Sequence, residues 1–280
     1  MALSVLNNIS ALEAENQLNS TQASLQNTLY QLASGSRINS GADDAAGLAI
    51  ADGLQANITA LTQSQRNAND GIGQLQVADG ALSQVTTLLN RAVTLATESA
   101  TGTVNSTQRQ ALQAEFSSIQ AEINSIGTNT TFNGTSVFAG TTTSIFLSDS
   151  NPLATTNITV SLGALTTATI GTGSGKVSIA SDNLGTADAA QTALTDINNA
   201  IASVASLRGV AGAAINRLNA ATDVMNNQVQ NLTSAEDTIT AADIGADVAD
   251  MNKYNILEQT GMAALGQANQ SQQAVLSLLH

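Results

Sequence analysis

The sequence has no cysteine and no tryptophan, one proline, one histidine, and only two tyrosines and four phenylalanines in 280 residues. Without thiols, disulfides, thiolate catalysis and cysteine-based metal sites are excluded. The lone histidine, His280, is the last residue, so neither a Ser-His-Asp relay nor a two-histidine metal site can be built. The zinc motif His-Glu-x-x-His is absent for the same reason. Aromatic side chains dominate globular cores and ligand pockets. At 2% of the chain they argue for thin helical seams, and no enzyme, metal or cofactor is expected. Charge is scarce too: 8 Lys and Arg against 21 Asp and Glu, a net −13, disfavour nucleic acid and anionic membranes, which reward basic residues. No stretch of 18 consecutive apolar residues occurs, so no membrane span is expected. The opening Met1–Asn8 lacks a basic region and an apolar run, so it does not read as a cleavable secretory signal.

What remains is Ala, Leu, Ile and Val, within a hydrophobic content of 42%, set among Asn, Gln, Ser and Thr. A surface this poor in charge suits a subunit packed against its own copies better than a dispersed monomer. The clearest periodicity runs through Leu194, Ile197, Ile201, Val204, Arg208, Ala211, Ile215, Leu218, Thr222, Met225, Val229 and Leu232, the spacing of a coiled-coil seam. A helix over 45–99 carries the register Leu54, Leu61, Ala68, Leu75, Leu82, Leu89, Ala96, with a half-apolar second row of Ile58, Gln65, Ile72, Asp79, Thr86 and Val93. A third helix, about 106–126, shows Leu112, Phe116, Ile119, Ile123 and Ile126.

Both ends read as lone amphipathic helices. Residues 2–34 place Val5, Ile9, Leu12, Leu18, Leu25, Leu29 and Leu32 on one edge. The last helix, after Thr240–Asp243, which resembles a capping box, carries Ile244, Val248, Met251, Tyr254, Leu257, Leu265, Val275, Leu276 and Leu279. The connector 35–44 is turn-rich. Asp43 and Asp44 stand where a helix start favours negative charge, with an ion pair to Arg37 as another structural role. Between Gly127 and Gly185 the chain turns to Thr, Ser and Gly with short β-branched runs. It holds Pro152, the glycine loop 171–175 and the hairpin signal Asn133-Gly134. The fold expected is mainly α: long antiparallel helical rods in a coiled-coil-like bundle, paired terminal helices and a small β-hairpin-rich insert. The segments are 1–44, an assembly helix and connector pairing with 240–280; 45–137, N-terminal rods; 138–185, insert; 186–239, C-terminal rod; and 240–280, C-terminal assembly helix.

Several segments, in order, resemble bacterial flagellin. Leu32-Ala-Ser-Gly-Ser-Arg-Ile-Asn-Ser-Gly-Ala-Asp-Asp-Ala-Ala-Gly47 is similar to that family's N-terminal signature, continued by Arg66–Gly71 and Gly80–Leu82. Arg208, Gly212-Ala213 and Asn216–Leu218 resemble its C-terminal rod motif. Ile256-Leu257, Ala268–Gln270 and Val275–Leu279 resemble its ending. The resemblance implies a subunit that polymerises with itself into the extracellular flagellar filament for swimming motility. It also implies export without a cleaved signal, and an export chaperone, junction proteins and cap proteins as partners. Leu18, Leu25, Leu32, Arg37, Asp43, Asp44, Leu265, Val275, Leu276 and Leu279 become its self-assembly residues. Vertebrate Toll-like receptor recognition is implied at Arg91, Leu95 and Glu115, although Val93 and Thr94 replace an Arg and a Glu of the family pattern. The competing readings are a hook–filament junction protein and a secreted helical adhesin or translocator.

Overall fold

A computed structural model describes residues 8–148, 156–171 and 176–277. Val5, Pro152, the loop 172–175, Leu279 and His280 lie outside these, as do the side chains of Val275 and Leu276. Among the described residues, five helices carry the chain: α1 Ile9–Ser34, α2 Ala45–Ala100, α3 Ser106–Asn129, α4 Ala187–Thr240 and α5 Ile244–Ser277. Between α3 and α4 the described residues form three antiparallel hairpins, β1–β2 (Thr131–Phe132, Thr135–Ser136), β3–β4 (Thr142–Leu147, Thr156–Ser161) and β5–β6 (Ala164–Thr166, Thr169–Gly171). The mainly helical architecture with a small hairpin insert is the one expected. The first hairpin turns at Asn133 and Gly134, both in the left-handed region at φ 49° and 75°, as a two-residue loop between twisted strands requires.

The chain divides into two units, residues 1–56 with 231–280, and residues 57–230. In the second, α2 buries two rows. One is Leu61, Ala68, Leu75, Leu82, Leu89 and Ala96; the other is Ser64, Gly71, Ala78, Val85, Ala92 and Ser99. The first row is as expected from Leu61 onward, while Leu54 is half-buried. The second is not the half-apolar row from Ile58 to Val93, whose members are only half-buried. In α4 the buried rows are Ala190, Ile197, Val204, Ala211, Leu218 and Met225 beside Ala193, Ala200, Leu207 and Ala214, while Leu194, Ile201, Arg208 and Ile215 flank them, half-exposed. In α2 the second row is mostly Ala, Gly and Ser, small side chains of the kind that let helices approach closely; in α4 the buried rows mix Ala with Ile197, Val204, Leu207, Leu218 and Met225.

The insert is held on the helices by polar side chains and missing ones. Ser64 Oγ both donates to the Ser148 carbonyl (2.8 Å) and accepts from its N–H (3.1 Å), and Asn67 donates to the Phe146 carbonyl (3.2 Å). A Cβ at Gly71 would collide with Ile145, and one at Gly127 with the Leu165 carbonyl oxygen. Gln120 binds the Ile179 carbonyl and Gln113 the Leu184 N–H, both at 2.5 Å.

Candidate assembly site

The site is the first unit, where the first and last helices pack together. Helices α1 and α5 lie antiparallel: Asn8 Nδ2 donates to the Ala268 carbonyl (3.2 Å), Gln22 Nε2 to Glu258 Oε1 (3.1 Å), and Leu18 packs on Gly261. The line of α1 that faces α5 runs Leu18, Thr21, Leu25, Thr28, Leu32. Only the two threonines are buried, and the three leucines are half-covered. The Thr hydroxyls donate to the Gln17 and Ser24 carbonyls one turn back (2.9 and 3.0 Å), which lets these polar residues occupy the contact line. On α5, Met251, Tyr254, Gly261 and Leu265 are half-buried, and no described α5 side chain is fully buried.

Other apolar residues expected on these edges stay in solvent. Ile9 is 66% exposed, Leu12 59% and Leu29 45%; Ile244, Val248 and Leu257 are also exposed, as are Ile256 and Met262. Their position on the helix surface explains it: α1 and α5 cover one stripe of each other, and these residues lie off that stripe. Large apolar side chains thus stand in solvent along both helices.

The connector explains the signature read from the sequence. Gly35, at φ 71°, ends α1 with its N–H on the Gln31 carbonyl (2.8 Å), a left-handed position glycine takes without steric penalty. Asp43 Oδ2 accepts from the N–H groups of Asn39 (3.1 Å) and Ser40 (2.9 Å) and from the Ser40 hydroxyl (3.1 Å). Those bonds hold its carboxyl below the usual carboxylate range, the Asn39 backbone bond contributing most. Asp44 Oδ1 caps α2 through the N–H groups of Ala46 (3.0 Å) and Gly47 (2.9 Å), worth about 1 kcal/mol for such a cap. A side chain at Gly47 would strike Asp44 and Ile38. Neither aspartate pairs with Arg37, whose guanidinium instead donates to the Ile239 carbonyl (2.7 Å). The C-terminal cap is likewise shifted: Thr240 is the last residue of α4, and Asp243 alone caps α5 through Gly245 and Ala246 (3.0 and 3.1 Å). The sequence reading also missed the capping box at Asn105 and Gln108 that starts α3; the pattern Asn-x-x-Gln was its signal.

In the second unit, Arg91 grips Glu115 with two hydrogen bonds of 2.6 and 3.0 Å. That bond holds the Glu115 carboxyl below its ordinary range. Both side chains are exposed, at 54% and 45%. Leu95 is corrected: it is fully buried and offers no surface to a receptor.

The sequence matches the bacterial flagellin N-terminal helical region over residues 5–143 and the flagellin C-terminal helical region over residues 194–279. The chain belongs to the bacterial flagellin family. It is 32% identical to a flagellin of Listeria monocytogenes, over 99% of this chain and all of that one. It is 33% identical to the flagellar filament 33 kDa core protein of Treponema phagedenis, over 97% and 98% of the two chains. Among solved structures, Bacillus cereus flagellin is 30% identical and covers 61% of this chain and 94% of its own, at a TM-score of 0.47. Flagellins form a family of structural proteins. Among the described residues no helix is long and apolar enough to cross a membrane.

Proposed function

We propose that this flagellin-family chain is the structural subunit of a flagellar filament and that its two ends complete their folding only against neighbouring copies. The observation that carries the reading is the exposed apolar surface of the α1–α5 pair, from Ile9 and Leu12 to Ile256 and Met262. Ordering a residue costs about 1–2 kcal/mol of backbone entropy, and a half-covered pair recovers little of that alone. Copies that cover the remaining stripes supply the rest. A head-to-tail contact that does not close a ring then propagates as an open helix.

In this reading residues 1–44 and 240–280 are the assembly segments, 45–137 and 186–239 the rods, and 138–185 the outward insert. Ile9, Leu12, Leu29, Ile244, Val248 and Leu257 are the residues whose cover comes from neighbours, beside the half-covered Leu18, Leu25, Leu32 and Leu265. An export chaperone that shields these ends before assembly, and junction and cap proteins at the filament's two limits, complete the set of partners. The chain acts outside the cell.

The test is deletion. Removing residues 1–35 or 245–280 leaves helical circular dichroism from the rods and abolishes growth on filament seeds. Normal filaments from either truncation, seen by electron microscopy, overturn the reading.

A vertebrate Toll-like receptor is a second partner supported by the exposed Arg91–Glu115 pair. With Leu95 buried and Val93 and Thr94 uncharged, these two side chains carry the contact. Arg91→Ala and Glu115→Ala each lower reporter-cell signalling by roughly tenfold or more, as loss of a contact hot spot does. Equal signalling by the unaltered protein and both variants removes this partner.

A further inference from the structure

Among the described residues, no helix of this protein carries a basic residue in its last turn. The carbonyls at a helix C-terminus lack intrahelical partners and concentrate partial negative charge. Two arginines from other segments meet that need. Arg109 on α3 donates through Nε to the Ser99 carbonyl (2.9 Å) and through Nη2 to the Thr101 carbonyl (3.0 Å), closing α2. Arg37, from the connector after α1, closes α4: Nη2 donates to the Ile239 carbonyl at 2.7 Å and its backbone N–H to the Thr240 carbonyl at 2.6 Å.

Arg37 differs from Arg109 in what else is fastened around it. Its own carbonyl accepts from Gln31 Nε2 on the last turn of α1 (2.8 Å). Ser36 forms an antiparallel bridge with Ala241, and its hydroxyl donates to the Thr240 carbonyl (3.1 Å). The Ala242 N–H donates to the Gly35 carbonyl (3.1 Å), one residue before Asp243 caps α5. The exit of α1 and the entry of α5 are therefore stitched together within a few residues, and the Arg37 side chain brings a cationic donor to the end of α4 there.

We propose that Arg37 is a positioning residue for filament assembly: by capping α4 it pins the connector to the α4–α5 turn and so sets the register in which α1 lies along α5. The inference rests on the reading of this chain as a filament subunit. A register error of one turn would move the exposed stripes of α1 and α5 out of alignment with each other, and a neighbour shaped for both would then fit only one.

The experiment follows elongation on preformed filament seeds by light scattering, with full-length protein, Arg37→Ala and Arg37→Lys, at matched helix content by circular dichroism. Arg37→Ala is expected to slow elongation by roughly tenfold, the loss of a well-placed cationic cap. Arg37→Lys, which keeps one charged donor for the Ile239 carbonyl, is expected to restore most of the rate. Elongation of Arg37→Ala at the unaltered rate overturns the proposal, and so does Arg37→Lys as slow as Arg37→Ala, because the donor is then not what matters. Failure of the unaltered protein to elongate sinks the filament reading itself, a separate result.

Discussion

Asp182 lies in the segment that leads from the last hairpin to α4. Its Oδ2 is buried without a hydrogen-bond partner among the described residues. Burial, with a smaller contribution from the charge of Asp196, pushes its carboxyl up to about 6 from 3.8. The folded state therefore holds this proton more tightly than the unfolded chain does, and stability falls as pH rises between the two values. The penalty is absent below 3.8 and complete above about 6. Asp182→Asn removes it. The side chain is partly exposed, so solvent screens the charge, and the expected gain in Tm near neutral pH is on the order of 2–4 °C, with little or none in acid. Calorimetry at both pH values checks this; an equal gain at the two would assign the effect to packing. Asp43 has the opposite sign. Its carboxyl is held low by the connector's N–H groups, so its contribution is present above the ordinary carboxylate range and lost only as pH falls below it.

At the scale of elements, each seam pairs a row of larger residues with a row of small or hydroxyl-bearing ones. In α1 the pair is Leu18, Leu25, Leu32 with Thr21, Thr28; in α2 it is the Leu61-to-Ala96 row with Ser64 to Ser99, small but for Val85; in α4 it is Ile197 to Leu218 with Ala193, Ala200 and Ala214, interrupted by Leu207. The five helices and the Asn133-Gly134 hairpin were legible in the sequence, because period and turn chemistry are local. The second row of each seam was not. Periodicity rewards large apolar side chains, whereas close approach rewards small ones, and Ile201 or Ile215 outweighs Ala200 or Ala214 on any hydropathy scale. The caps at Asp44 and Asp243 obey local rules, but Arg37 binds a carbonyl some two hundred residues away, which no local pattern announces. The α1–α5 register can be tested directly. A Cβ built at Gly261 lies 3.9 Å from that of Leu18, a separation suited to a disulfide, and the chain has no other thiol. Leu18→Cys with Gly261→Cys is expected to close within one chain under mild oxidation of the assembled protein, seen as a shift on a non-reducing gel. Leu12→Cys with Gly261→Cys, more than a helical turn out of step, is expected to stay open. Closure of both pairs to the same extent would rule out a fixed register.

For the whole molecule, a net charge of −13 sets copies against one another as they are brought together. The assembly face itself is apolar, so the repulsion acts on approach and is screened by salt. Raising ionic strength from about 0.01 M to about 0.15 M shortens the screening length from roughly 30 Å to roughly 8 Å, and elongation on seeds is expected to quicken several-fold. Growth that is indifferent to salt over this range would place the charges away from the contacts. The two borrowed arginines bear on what can be dissected from this protein. A peptide of α4 alone leaves its terminator behind on residue 37, and one of α2 alone leaves its own on residue 109. Each long helix is finished by a piece of chain that belongs to another, so excised segments are expected to fray at their C-terminal ends even where their sequences favour helix.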